Sequence, residues 1–203
     1  VYGVQAAGAP SMFQSIHEGH RVHLDRVQTI ADGIAVKEPG ELTFELIKQY
    51  VDEIVTVTDE ETAAAILALL EQQKLVAEGA GAVAVAAAMF NKLPIKGKKT
   101  ICLVSGGNVD VTTLSRIVNR GLTKSGRKYS FIIDLDDKPG QLSGVCNVVA
   151  DQGGNIQSVT HERVNTAAEI NGCTVRVEMD TRDQAHIDSI RRALIASGFK
   201  VTN

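Results

Sequence analysis

The stretch that most constrains this chain is Val104-Ser105-Gly106-Gly107-Asn108. It follows an apolar run, Thr100-Ile101-Cys102-Leu103, which predicts a buried strand from Lys99 to Val104, and it precedes a helical segment from Asp110 onward. A turn of this kind, at the carboxyl end of a strand, is where open α/β sheets bind ligands. Its glycines let backbone approach a flat or anionic ligand closely. Its serine hydroxyl can donate to, or accept from, a ring heteroatom. Taken alone, the same residues also suit a plain strand-to-helix turn.

The residues before that turn supply the other pieces of a sheet. Val1 to Gln5 reads as a strand, and Gly8-Ala9-Pro10-Ser11 as a turn in which Ser11 caps a short helix, Met12 to Glu18, stopped by Gly19. Residues 20 to 40 are loop-rich, with a tight turn at Ala31-Asp32-Gly33. Leu42, Leu46, Ile47 and Tyr50 fall at helical spacing, which predicts an amphipathic helix over Glu41 to Val51. Glu53 to Val57 is rich in β-branched residues and predicts a strand. Thr58-Asp59-Glu60-Glu61 has the form of a capping box opening a helix to about Gln73, with Ala65 and Leu69 inward. Gly79-Ala80-Gly81 interrupts, and an Ala-rich helix follows to Phe90. Strands alternating with helices predict a parallel α/β sheet.

From Lys128 the pattern restarts. Tyr129, Phe131, Ile133 and Leu135 alternate with Ser130, Ile132 and Asp134, as in a half-buried strand. Asp136-Asp137-Lys138-Pro139-Gly140 turns into a helix with Pro139 near its first turn and Leu142, Val145, Val149 and Ala150 on its apolar face. Gly153-Gly154 ends it. A strand from Asn155 to Arg163, a polar loop from Asn165 to Gly172 and a strand from Cys173 to Met179 follow. A helix from Asp183 to Ser197 turns Ile187, Ile190, Leu194 and Ile195 inward and stops at Gly198, before a short strand from Phe199 to Thr202. The order is βαββαβ, the ferredoxin-like unit. Between the two patterns, Arg116, Arg120, Lys124, Arg127 and Lys128 form a basic stretch, read as a solvated linker. The expected domains are 1–120 and 128–203, joined by a linker over 121–127.

Several function classes are excluded. The net charge of −3 offers no global attraction to nucleic acid or anionic membranes, and aromatic residues at 4 % with no Trp do not build a stacking platform. The longest apolar run, Ala80 to Phe90, is far shorter than the ~20 residues of a bilayer span. Cys102, Cys146 and Cys173 are odd in number and form no CxxC pair, so they read as reduced core thiols of a cytoplasmic protein. His17, His20 and His23 drift around a helix broken by Gly19 and read as a surface cluster rather than metal ligands, and His161 and His186 as single structural or solvated side chains. The chain has no initiating Met and opens directly on a strand, which reads as a piece of something longer.

Three segments in this order, Ala31-Asp32-Gly33, Glu78-Gly79-Ala80-Gly81-Ala82 and Ser105-Gly106-Gly107-Asn108-Val109-Asp110, resemble the fold-type-II pyridoxal-phosphate enzymes, and most of all the threonine ammonia-lyases, over residues 1 to about 120. Asp-Asp-Lys-Pro-Gly-Gln-Leu and Gly-Gly-Asn-Ile within the βαββαβ unit resemble an ACT domain, a regulatory module that binds amino acids. The fold class implied is α/β: part of a fold-type-II parallel sheet domain followed by a ferredoxin-like ACT domain.

The resemblance implies that Ser105 hydrogen-bonds the pyridine nitrogen of pyridoxal phosphate, that Gly106 and Gly107 line the ring edge, and that Glu78 lies near the ring. A neutral hydroxyl does not force protonation of that nitrogen, which suits β-elimination. The activity implied for the complete enzyme is conversion of threonine to 2-oxobutanoate and ammonia. In the ACT-like part, the turn from Asp137 through Pro139 and Gly140 to Gln141 and Leu142 exposes helix N-terminal amides that can hold a carboxylate. Asn155 and Ile156 open the neighbouring strand. The resemblance places an effector such as isoleucine or valine near these positions, at an interface that makes a homo-oligomer. The family's Schiff-base lysine lies in a motif that this chain does not contain, so the chain alone is expected to be an inactive regulatory fragment. Relatives that bind a divalent metal use acidic residues near the present Gln5 and Ser11, so no metal is expected there.

Overall fold

The computed structural model describes residues 1–163 and 172–202; most of the loop expected from Asn165 to Gly172 lies outside them. Two units follow each other along the chain, Val1–Val118 and Asn119–Asn203.

In the first unit, β1 (Tyr2–Ala6) and β2 (Glu53–Val57) pair in parallel, with Tyr2 opposite Glu53 and Ala6 opposite Val57. The helices are α1 (Ser11–Glu18), α2 (Glu41–Tyr50), α3 (Asp59–Ala68), α4 (Gly79–Met89) and the first part of α5 (Val111–Lys124), whose residues from Asn119 on belong to the second unit. Gly19 ends α1 in the left-handed conformation, φ +75°. Ser11 is the first residue of α1 and makes no capping bond. The capping box of α3 is complete: the Thr58 hydroxyl accepts from the Glu61 N–H, and the Thr58 N–H donates to the Glu61 carboxylate at 2.8 Å. A π turn, Leu69–Gln73, extends α3 and is closed by Lys74 at φ +57°.

The core of this unit is built from small residues. Ala65 and Ile66 of α3 and Ala82, Ala86 and Ala87 of α4 pack with Ala6 and Val57 at the ends of the two strands. The alanines of α4 let its backbone approach closely. Ile117, on α5, completes the cluster.

Tertiary contacts overrule local pattern at several places in this unit. Among the described residues no strand pairs with 99–104. The segment keeps a strand-like alternation, with Cys102 and Val104 half-buried and Ile101 and Leu103 97 % and 76 % exposed, but it forms no ladder. On α2, Leu42, Leu46 and Tyr50 are exposed. Of the expected set Ile47 packs inward, and it does so with buried Phe44 and with Val51, just past the helix, against Met12 and Ile54. Residues 121–124 of the expected linker are the last turn of α5.

Glu61 also pairs with Lys92, Nζ to Oε1 2.9 Å. Burial pushes its carboxyl up, but the Lys92 ammonium and the Thr58 N–H outweigh that, and its pKa lies below the ordinary 4.5. A depressed carboxyl contributes stability above its unfolded-state pKa, and that contribution is lost as pH falls through the folded value. Denaturant titrations at several pH values should therefore show the wild-type advantage over Glu61→Gln shrink below about pH 4.5.

The second unit is one four-stranded antiparallel sheet, order β4-β5-β3-β6, covered on one face by two helices. Its elements are β3 (Lys128–Asp136), α6 (Gln141–Asp151), β4 (Asn155–Glu162), β5 (Gly172–Asp180), α7 (Gln184–Ala196) and β6 (Lys200–Val201). Phe131, Ile133, Val175, Val177 and Met179 of the central strands meet Val145 and Val149 of α6 and Ile187, Ile190 and Leu194 of α7. Ala150 and Ile195 are exposed rather than inward, because each lies one residue past the stripe that faces the sheet. Pro139 precedes the α6 cap, Gly140, rather than joining the first turn. His186 is buried and structural: it accepts from the Arg182 N–H at Nδ1 and bonds the Gln152 carbonyl at 2.8 Å through Nε2.

Candidate functional site

Within the first unit the three glycine-bearing segments meet. Asp59, in the first turn of α3, accepts from Thr29 Oγ1 at 2.6 Å and from the Ile30 N–H at 3.2 Å, and so fixes the chain just before Asp32. Residues Asp32–Ile34 then form one 3₁₀ turn. Gly79 lies against that chain so closely that a Cβ there would fall 2.3 Å from the Ile30 carbonyl oxygen. A Cβ on Gly33 would lie 3.1 Å from Ala80 Cβ.

Glu78 joins the second segment to the third. It stands at the N-cap position of α4 without a side-chain capping bond, and its N–H donates to the Gly106 carbonyl at 3.1 Å. Its carboxylate accepts from the Asn108 N–H at 2.9 Å. The Glu78 carboxylate lies directly over Gly106: a Cβ there would fall 2.5 Å from Glu78 Oε1 and would have to displace it. Gly81 presses on the same turn, since a Cβ there would lie 2.7 Å from the Gly106 carbonyl oxygen. The Gly106 backbone is thus held between Glu78 and Gly81, and Gly107 lies against the Val76 carbonyl. Ser105 is exposed, and among the described residues no side chain holds its hydroxyl. Below the turn, Asp110 accepts from the Thr113 N–H and opens α5, and Thr113 holds its carboxyl below the usual range.

The result is a closely packed, partly exposed turn whose Ser105 hydroxyl has no side-chain partner among the described residues. It can lie against a flat ring and offer that hydroxyl to a heteroatom on the ring's edge. Glu78 is half-buried and engaged with backbone, which makes it the strut of the turn.

The second unit has its own opening. A cleft of about 440 Å³ is lined by Asp137, Pro139, Gly140, Gln141 and Leu142. Gly140 caps α6 at φ +90°, so a residue without a side chain marks this turn. Asn155 and Ile156 do not reach the cleft. Asn155 is opposite Asp180, which is opposite Lys128 at the far end of β3, roughly 26 Å from Asp136 at about 3.3 Å per residue. Its amide donates to Asp180 at 3.4 Å. In their place the cleft gathers His161, Arg163 and Cys173, which sequence reasoning did not select. Arg163 pairs with Asp137 at 3.4 Å. Burial first, and then the Asp137 carboxylate, pushes the Cys173 thiol up. The signal in the sequence was the register: a strand ending at residue 163 beside one beginning near Cys173 brings both to the turn after β3.

The three cysteines are free thiols, Cys173 buried and the others half-buried. His17, His20 and His23 are exposed and separately engaged, with the Phe13 carbonyl, the Glu18 carbonyl and Glu38 respectively. Among the described residues no helix is long and apolar enough to cross a membrane.

Comparison with known proteins agrees with this division. Residues 1–107 match the family described as pyridoxal-phosphate dependent enzyme, and residues 129–196 match the ACT domain. The chain is 50 % identical over 201 residues to an L-threonine ammonia-lyase of Thermotoga maritima, and 42 % identical over 201 residues to one of Geobacter sulfurreducens. In both cases 99 % of this chain is covered and 50 % of the relative. The chain thus spans about half the length of these curated relatives. A solved structure of the processed form of threonine deaminase isoform 2 from Solanum lycopersicum superposes with a TM-score of 0.54 at 38 % identity, covering 58 % of this chain and 33 % of that one.

Proposed function

Because this chain belongs to the pyridoxal-phosphate dependent enzymes, we propose that it is the portion of a threonine ammonia-lyase that supplies one wall of the cofactor site together with an amino-acid-sensing ACT domain. The observation that carries this reading is the packing of Asp32-Gly33 on one side and Ser105-Gly106-Gly107 on the other against Glu78-Gly79-Ala80-Gly81. Pyridoxal phosphate, when bound, supplies the electron-withdrawing ring that lets an amino acid lose its α-proton and then its β-hydroxyl. The residues of this chain bind and orient. Gly106 and Gly107 would line the ring's edge, Ser105 Oγ would be the partner for the pyridine nitrogen, and Glu78, which accepts from the Asn108 N–H, would hold the turn that presents them. A neutral hydroxyl at that nitrogen leaves the ring a moderate electron sink, which favours elimination over transamination.

In this reading the complete enzyme converts threonine to 2-oxobutanoate and ammonia. No lysine of this chain takes the Schiff-base role, so the chain alone does not turn over threonine. It recognises an amino acid such as isoleucine or valine at the Asp137–Leu142 turn, where Asp137 suits the ammonium and Arg163 or the α6 amides suit the carboxylate. Asn155 and Ile156, at the other end of the sheet, join such a site only from a second copy. An oligomer built through ACT sheets would supply that copy, and effector binding would shift the balance between assemblies of different activity.

Incubation with pyridoxal phosphate, borohydride reduction and peptide mapping test the catalytic half of this reading. Expected are scattered, substoichiometric adducts on exposed lysines and no 2-oxobutanoate from threonine. A stoichiometric adduct at one lysine, with turnover, would assign the chain its own active site.

A further inference from the structure

The geometry points to a binding site for a divalent transition-metal ion of the zinc class, formed by Asp137, His161 and Cys173. These residues come from three elements: the turn after β3, the last part of the edge strand β4 and the start of β5. One carboxylate oxygen, one imidazole nitrogen and the thiol sulfur lie within 4.8 Å of one another. Ligands around a tetrahedral zinc ion stand about 3.3–3.6 Å apart, given bonds of about 2.0 Å to nitrogen and oxygen and 2.3 Å to sulfur. Closing the difference takes roughly an ångström, and Asp137 and His161, both exposed, are the side chains that would move.

The donor set decides the class of ion. Thiolate and imidazole suit zinc and its neighbours in the first transition row, whereas magnesium and calcium take oxygen ligands. Cys173 is only 2 % exposed, yet it lines the same cleft as the other two. Coordination forms the metal–sulfur bond as the thiol proton leaves to solvent. Three protein ligands in an open cleft leave a fourth position for water or another ligand, as in non-structural zinc sites.

One group competes for the site. Arg163 pairs with Asp137 at 3.4 Å, so the ion must displace a guanidinium to gain the carboxylate. Metal binding here requires no amino acid in the cleft, and metal alone tests it.

Cobalt(II) serves as the spectroscopic probe, titrated into the full chain under reducing, chelator-free conditions. Expected is a thiolate-to-cobalt charge-transfer band that saturates at one equivalent and is removed by zinc. The band should survive in a Cys102→Ser, Cys146→Ser double variant and vanish in Cys173→Ser. Because Cys173 is buried, His161→Gln provides a second test at an exposed position. It should weaken binding by about tenfold or more, while Arg163→Gln should tighten it severalfold. Absence of the band in the folded chain would overturn the site, as would its persistence in Cys173→Ser or unchanged affinity in His161→Gln. Unchanged affinity in Arg163→Gln would remove Asp137 from the ligand set.

Discussion

Alanine at Gly79 is expected to destabilise the first unit by about 3 kcal/mol. Helix propensity alone argues the other way, since alanine in a helix is favoured over glycine by about 1 kcal/mol. The collision decides the sign. The new Cβ would fall 2.3 Å from the Ile30 carbonyl oxygen and 2.8 Å from Ala31 Cα. Both are backbone atoms, and Asp59 holds the chain they belong to through Thr29 and the Ile30 N–H. Either α4 or residues 29–33 must retreat, and the surface that carries Ser105 loses its shape. Hydrogen-exchange mass spectrometry reads the effect by region. Amides of β1, β2 and α4 should exchange faster in Gly79→Ala, while those of β3 and β5 keep wild-type protection. Unchanged protection across the first unit would show that the 29–33 and 78–81 segments are not packed as described.

Phe131→Ala should have the largest effect in the second unit, about 3–5 kcal/mol. Phe131 is fully buried on β3, with strands on both sides. Its ring meets Tyr129 edge-on at 4.8 Å between centroids, and the Arg191 guanidinium lies 5.4 Å from its centre. Arg191 also donates to the Tyr129 hydroxyl at 2.9 Å. Truncation leaves a cavity and removes the surface on which that arginine rests, so the loss combines apolar transfer, cavity and cation–π terms. Denaturant melts of the wild type and the variant, followed by near-ultraviolet circular dichroism, measure it. A shift under 1 kcal/mol would mean that the two helices do not close over this face of the sheet.

Local chemistry made much of this architecture readable. The β-branched run Glu53–Val57 is a strand with the expected ends, and Thr58 and Glu61 cap the next helix reciprocally. The alternation from Tyr129 to Leu135 puts Phe131, Ile133 and Leu135 into the core. What escaped were choices that only tertiary contacts make. Helix α2 carries two apolar stripes, and the one seated on Met12 and Ile54 is Phe44, Ile47 and Val51. Residues 99–104 have the composition of a strand but find no ladder among the described residues.

The candidate site of the first unit was legible as three glycine-bearing motifs, because Gly79, Gly81 and Gly107 each mark a close approach to backbone that a side chain would block. Their mutual contact was not legible, and neither was the role of Glu78 as the support of the Ser105 turn. In the second unit the Asp137–Leu142 turn was visible as Pro-Gly before a helix. His161, Arg163 and Cys173 were not, since their meeting depends on strand register across residues far apart in sequence. The same register separates Asn155 from that turn.

Isothermal titration of the chain with isoleucine, valine and threonine, in metal-free buffer, tests most directly the claim that it recognises an amino acid without performing chemistry. Saturable heat is expected with a branched-chain amino acid, abolished or weakened at least tenfold by Asp137→Asn, with no 2-oxobutanoate in the cell afterwards. Binding that Asp137→Asn leaves unchanged, or no heat with any of the three, would contradict it.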